Sequence, residues 1–193
     1  MTEAIPYQGV VWRRGKKTLL CPVEESDLPH FQEMVNDEKV QKFIIVDWPL
    51  SEVGQRAWFE RVSKPDPQNI TVAIRTHAGD LIGNMAIHFD EKKRIAKTGS
   101  LIGRGDYRGK GYGTDAKMTL LNYAFNWRDM RKVVSPIIGY NVRSRKYAKK
   151  CGYRFTARIP GEHYRFGKWR SEVLYTCFKE EWQPLWEAYQ KDL

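Results

Sequence analysis

Apolar and polar residues alternate along the chain with two distinct periods, and the periods mark its elements. NITVAIR (69–75) and LIGNMAIHF (81–89) are rich in β-branched and aliphatic residues and flank the turn THAGD, which predicts a hairpin. AKTGSLIG (96–103) and KVVSPII (132–138) predict two more strands. Between them Ala116, Leu120, Ala124 and Trp127 recur at helical spacing, which predicts a helix over 112–128. Near the start, VVWRRGKKTLLCPV (10–23) reads as two short extended pieces around Gly15. Ser26 is placed to cap a helix near 27–36, and a second short helix fits Glu38 to Ile44. Ser51 opens a third helix, to about Ser63, with Trp58, Phe59 and Val62 on its apolar side, until KPDPQ (64–68) breaks it. Asn141 is a cap for a helix to Lys150, and Gly152 is its left-handed stop. YRFTARI (153–159) and SEVLYTCFK (171–179) predict a terminal strand pair, followed by a short amphipathic helix over about 180–193. The order predicts a mixed α/β fold built on one main sheet.

Composition narrows the class. A chain of 193 residues, 41% hydrophobic and 13% aromatic, suits one folded domain spanning 1–193. No window approaches the roughly 18 consecutive apolar residues of a membrane span. The N-terminal MTEAIPYQGVVWRR lacks the charged-then-apolar pattern of a signal segment, so a cytoplasmic protein with no membrane association is expected. Three cysteines without a CxxC pair, and four histidines without ligand spacing, predict neither a disulfide framework nor a metal site.

The net charge of +10 favours anionic partners: nucleic acid, an anionic membrane, an acidic protein or a polyphosphate cofactor. Part of that charge is concentrated in YNVRSRKYAKKCGY (140–153), where five of the eight residues from Arg143 to Lys150 are basic. Such a run is a nucleic-acid grip, a solvated helix face or one side of an anion site.

The main chemical signal is RGDYRGKGYGTDA (104–116), a glycine loop between a predicted strand and a predicted helix. Glycines at 105, 109, 111 and 113 allow sharp turns and let backbone N–H groups converge. The following helix adds free N–H groups and a positive dipole end, and Arg108 and Lys110 add full charges. The loop is suited to a pyrophosphate. It is not a P-loop, since no GK[ST] pattern follows, and its GxGxG spacing departs from the Rossmann GxGxxG.

Arg108-x-x-Gly111-x-Gly113 resembles the Gln/Arg-x-x-Gly-x-Gly/Ala motif of the GNAT superfamily of N-acetyltransferases. LCPVEESDLPHFQEMVND, PLSEVGQRAWFERV, DLIGNMAIH, RKVVSPIIGYN, KKCGYRF and FGKW are similar, in order, to the subgroup that acetylates ribosomal-protein N-termini, spermidine and aminoglycosides. The likeness covers about residues 17 to 182. It implies the GNAT fold: a central, mostly antiparallel sheet, helices on both faces, and a splayed parallel strand pair holding acetyl-CoA or another acyl-CoA. Those strands match 96–103 and 132–138. The implied cofactor contacts are Leu101 and Ile102 on the pantetheine arm, and Arg108, Gly109, Lys110, Gly111, Tyr112, Gly113 and Thr114 around the pyrophosphate. Asn141 and Ser144 on the basic helix complete them. Pro136, which lacks a ladder donor, fits a strand that parts from its neighbour, a bulge or an edge.

The implied reaction is direct attack of a primary amine on the thioester. The amine must be neutral, although free lysine titrates near about 10.4, so a base helps. Two departures from the family affect this chemistry. Where many relatives carry a glutamate base in Ala-Glu-x-Gly, this chain has Lys97. Where they carry a tyrosine acid, it has Ala148, with Tyr147 about 100° away around a helix of ~3.6 residues per turn. His88 is the substitute candidate for the base and Ser144 for the proton donor, with Cys151 on the same helix face as Ser144 and Ala148. Asp47, Glu162 and His163 fall in segments that form the acceptor side in relatives. The leading expectation is an acetyl-CoA-dependent N-acetyltransferase acting on a peptide or small-molecule amine, with an acidic or RNA-associated acceptor favoured by charge. The alternatives are a catalytically weak acyl-CoA-binding protein and an RNA-associated binder. Monomer and homodimer both fit the resemblance.

Overall fold

The computed structural model describes residues 7–191. Eight strands form one sheet in the order β1-β2-β3-β4-β5-β6-β8-β7. The strands are β1 (Arg13–Arg14), β2 (Thr18–Cys21), β3 (Asn69–Thr76), β4 (Leu81–Asp90), β5 (Ile95–Ile102), β6 (Lys132–Ile138), β7 (Arg154–Arg165) and β8 (Lys168–Phe178). The helices are α1 (Leu28–Asn36), α2 (Glu38–Gln41), α3 (Glu52–Val62), α4 (Tyr112–Asn122), α5 (Val142–Lys150) and α6 (Lys179–Lys191). The sheet is mostly antiparallel; β5 and β6 form its parallel pair. The chain divides into two compact units. One holds the segment up to Ala86 with Ser100–Ala116, and the other holds Ile87–Gly99 with the segment from Lys117.

In the first unit β2 pairs antiparallel with β3, from Thr18 opposite Thr76 to Cys21 opposite Ala73. Leu19, Cys21, Val23, Phe31, Met34, Ala73 and Leu81 pack into its core, with Trp58 and Phe59 of α3 against them. The α3 start follows the sequence: the Ser51 side chain accepts from the Gly54 N–H. The α1 start does not. Ser26 lies inside a 3₁₀ turn, Glu25–Asp27, and the cap is a reciprocal pair in which Glu24 and Asp27 bind each other's backbone N–H groups. Asp27 is buried and also pairs with Arg75 of β3, so its position is fixed by tertiary contact rather than by local propensity. Gly83 on β4 is required by close approach, since a Cβ there would stand 1.9 Å from the Leu101 carbonyl oxygen.

In the second unit, β6 pairs antiparallel with β8 along its full length, from Lys132 opposite Phe178 to Ile138 opposite Glu172. Its parallel register with β5 runs from Ile95 opposite Lys132 to Lys97 opposite Val134. Pro136 lies beyond that register, so its missing N–H removes no donor from the parallel ladder. β7 and β8 form a longer hairpin than the sequence predicts. Strand pairing continues through 159–165 and 168–172, with irregularities between Phe155 and Ala157 and between Ile159 and His163. The helix predicted over 112–128 ends differently: its last turn, Tyr123–Trp127, widens into a π-turn. Phe125 of that turn packs on Trp182 of α6 at 5.1 Å between ring centroids.

Candidate functional site

In the first unit, β5 leads through a glycine loop into α4. Gly103 donates from its backbone to the Ile82 carbonyl at 3.0 Å, and a 3₁₀ turn follows over Gly105–Tyr107. Arg108 then folds back on the strand end, Nε donating to the Ile102 carbonyl at 2.9 Å and Nη2 to the Gly103 carbonyl at 2.7 Å. These bonds fasten the strand to the loop. Gly109 and Gly111 take φ of +77° and +90°, the left-handed region that a Cβ disfavours. An added Cβ at Gly109 would meet nothing within 4 Å, so the loop faces open space there. Lys17 Nζ donates to the Lys110 carbonyl at 3.2 Å.

The start of α4 is anchored from its first turn. Asp115 is 2% exposed. Its carboxylate accepts from the backbone N–H of Lys16 at 2.7 Å, Lys17 at 3.0 Å and Thr18 at 2.8 Å, and from Thr18 Oγ1 at 2.5 Å. A carboxylate in a helix's first turn also suits the positive dipole end. The early N–H groups of any α-helix lack intrahelical acceptors and point out of its N-terminus. Leu101 to Thr114 thus form one continuous strand–loop–helix segment that carries the exposed basic Lys110. A strand–loop–helix join of this kind is where helix N-termini in general accept anions.

The second unit carries the other predicted residues. Asn141 is 9% exposed, and its Oδ1 accepts from the Ser144 N–H at 3.0 Å, which caps α5. Gly152 has φ +87° and ends the helix. The predicted small face of α5 points inward: Ala148 is 3% exposed, Cys151 is fully buried, and Ser144 is half-buried. Burial therefore keeps Cys151 from solvent, and Cys177 Sγ lies 3.9 Å from the Cys151 carbonyl. Arg143, Lys146, Lys149 and Lys150 stand on the exposed sides. His88 and Lys97 are exposed on β4 and β5. Asp47 and Glu162 are exposed, and His163 Nε2 lies 3.3 Å from Glu172 Oε2. Among the described residues, no group of three or more His, Cys, Asp and Glu side chains could hold a metal. Nor is any described helix long and apolar enough to cross a membrane.

The pattern reading missed Lys117. It belongs to α4, is 2% exposed, and its Nζ has no hydrogen-bond partner among the described residues. The ammonium stands 5.9 Å from the Tyr147 ring centroid and 6.0 Å from that of Tyr153. Burial pushes it down to about 8, opposed by the nearby thiols of Cys151 and Cys177. Burial also raises the Cys177 thiol and the Tyr153 hydroxyl, which shares a 3.2 Å hydrogen bond with Thr98 Oγ1. A signal for Lys117 was present, because Lys117, Leu121 and Ala124 follow i, i+4, i+7 on one stripe.

Residues 17–154 match the model of the acetyltransferase (GNAT) domain. YnaD of Bacillus subtilis (strain 168), itself an uncharacterized N-acetyltransferase, is 23% identical over 171 residues, which are 86% of this chain and 96% of YnaD. Among solved structures, a GCN5-related N-acetyltransferase from Brucella melitensis superposes with a TM-score of 0.79 at 20% identity, covering 99% of this chain and 90% of that one. Spermidine N-acetyltransferase from Vibrio cholerae, in complex with CoA and spermine, gives 0.78 at 15% identity, covering 86% of this chain and 98% of that one. At such identities the structural likeness is one of fold.

Proposed function

The chain belongs to the GNAT acetyltransferase family, and from that premise we propose that it transfers an acetyl group from acetyl-CoA to a primary amine. The observation that carries the reading is the glycine cradle ahead of α4, with Gly109 and Gly111 at positive φ and open space over Gly109. Residues and group fit. The loop N–H groups from Gly109 to Thr114 hold a pyrophosphate, Lys110 adds charge, and Arg108 maintains the loop from behind. The backbone of Leu101 and Ile102 pairs with the pantetheine arm. Bound acetyl-CoA supplies the activated thioester that the amine attacks. Asn141 sets the start of α5, and Ser144, half-buried on that helix, is the proposed donor of a proton to the departing thiolate. His88, exposed on β4, is the proposed acceptor of the amine's proton. The acceptor is a protein N-terminus or a small amine, and the net charge of +10 favours an acidic or RNA-associated one.

A second reading is carried by a specific observation. Ala148, at the position where relatives carry a tyrosine acid, is packed at 3% exposure, and Lys97 stands where they carry a glutamate. The protein would then hold an acyl-CoA with little turnover. Calorimetry with CoA and transfer assays with labelled acetyl-CoA separate the two. The amine panel contains peptide N-termini, polyamines and aminoglycosides. The main reading expects binding and transfer to at least one amine, and CoA binding with only background transfer selects the second. Gly111→Val should weaken CoA binding tenfold or more with the fold intact by circular dichroism, because a side chain resists φ of +90° and narrows the cradle. Unchanged binding would remove the cradle from both readings.

A further inference from the structure

A concave site of about 510 Å³ lies entirely within the second unit and shares no residue with the glycine cradle. Three guanidinium groups line it from three elements: Arg145 of α5, Arg158 of β7 and Arg170 of β8. Three aromatic residues, Tyr140, Phe155 and Trp169, line it as well, and among the described residues no carboxylate does.

The arginines are held by neutral groups. Arg145 donates to the Gly139 carbonyl at 3.3 Å and to the Tyr175 hydroxyl at 3.4 Å. Arg158 Nε donates to Ser171 Oγ at 2.9 Å. Arg170 lies over the Tyr140 ring at 5.6 Å, and its Nε is buried with no hydrogen-bond partner among the described residues. None of the three forms an ion pair among the described residues. Unpaired cations at a concave surface attract an anion, and an orphaned buried N–H is satisfied by an added acceptor. Guanidinium forks match phosphate oxygens in pairs. Trp169 is 69% exposed and Phe155 52%, which leaves faces available for a planar ring. The volume is in the range of sites that take drug-sized ligands, roughly 300–1,000 Å³.

We propose that this site binds a free mononucleotide, with phosphate on Arg145, Arg158 and Arg170 and the base against Trp169 and Phe155. A nucleotide satisfies both halves of the lining at once, whereas inorganic phosphate leaves the aromatic half unused. The ligand joins the protein without bond making and is independent of acyl transfer.

The test is titration with adenosine monophosphate followed by tryptophan fluorescence, with Trp169→Phe identifying the reporter. Wild type should show saturable quenching that Trp169→Phe removes. Arg158→Ala and Arg170→Ala should each weaken binding tenfold or more, while Gly111→Val, which disables the cradle, should leave it unchanged. Adenosine and inorganic phosphate should each bind at least tenfold more weakly. Quenching insensitive to the arginine changes, or lost in Gly111→Val alone, overturns the proposal. Adenosine or inorganic phosphate binding as well as the nucleotide does the same. So does a short single-stranded RNA that binds tenfold more tightly than the mononucleotide, which would make the site part of an RNA track. Circular dichroism checks that the arginine variants fold, and Arg158→Gln and Arg170→Gln replace any that do not.

Discussion

Asp115 and Lys117 lie two residues apart on α4, and both are 2% exposed, yet their surroundings have opposite chemistry. Asp115 accepts four hydrogen bonds, three of them from consecutive backbone N–H groups of Lys16, Lys17 and Thr18. Lys117 Nζ has none and faces two tyrosine rings and two thiols. Burial of a charge is tolerated when its hydrogen-bonding capacity is filled and costly when it is not. The carboxylate is therefore a structural bolt that fixes the start of α4, where the proposed cradle needs rigid N–H groups. The ammonium is a strained element in an otherwise apolar stripe. Its ring contacts return part of the desolvation cost as cation–π attraction.

The largest expected effect comes from removing the bolt. Asp115→Ala removes the carboxylate that three backbone N–H groups and one hydroxyl donate to, and the cost is on the order of 3–5 kcal/mol. Chemical denaturation should show that loss. If the variant still folds, its CoA affinity should also drop, because the same side chain positions α4 beneath the loop. Asp115→Asn should fall between, since an amide keeps the shape with one accepting oxygen. A loss below about 1 kcal/mol for the alanine variant would break the comparison, since it would put the bolt in the range of an ordinary single hydrogen bond.

Lys117→Met should move stability the other way. With the ammonium pushed down to about 8 from its usual 10.5, the buried charge costs the native state about 3 kcal/mol at neutral pH. A thioether of similar length removes that cost, so the melting temperature should rise by several degrees. An unchanged or lower melting temperature would show that the tyrosine rings compensate the charge.

The same residue gives a pH signature. Below about 8 the native chain carries a proton on Lys117 that the interior disfavours. Between about 8 and 10.5 the unfolded chain binds more protons than the native one, so wild-type stability gains with rising pH. The gain is complete above 10.5 and is lost as pH falls through 8. The stability difference between wild type and Lys117→Met should therefore shrink across that window. A difference that stays constant from pH 7 to pH 10 would assign the Lys117→Met effect to packing instead of charge.

The contrast also marks which features were legible in the sequence. β6, the Ser51 and Asn141 caps, the Gly152 stop and the cradle glycines all follow from short-range chemistry, and all are written in a few neighbouring residues. The misassigned Ser26 cap has a local alternative in Glu24 and Asp27, and Arg75, 48 residues away from Asp27, ties that alternative down. The β7–β8 pairing resumes beyond Ile159 because Pro160 and Gly161, turn-prone residues, lie within the irregularity between Ile159 and His163, which absorbs them. For the candidate site, the loop motif marks where the proposed cradle lies, whereas Asp115's partners lie nearly a hundred residues upstream. Lys117's burial depends on Tyr147, Tyr153, Cys151 and Cys177, which no local window contains. His88 is indicated by its strand position and Lys97 by the family resemblance, and neither specifies which groups a strand's exposed face meets.

The smallest expected effect concerns the wall facing Lys117. Tyr153 is buried, and its hydroxyl shares a hydrogen bond with Thr98, also buried. Tyr153→Phe removes the hydroxyl, keeps the ring under the ammonium, and leaves the Thr98 hydroxyl short of a partner, for a loss of about 1 kcal/mol. The informative measurement is the double variant. If the ring alone serves Lys117, the effects of Tyr153→Phe and Lys117→Met add within about 0.5 kcal/mol. If the hydroxyl contributes to holding the charge, the Tyr153→Phe loss shrinks once Lys117 is methionine. That coupling would move Lys117 from an isolated strained charge to a member of a polar network reaching Thr98, one residue past Lys97, the last β5 residue in parallel register with β6.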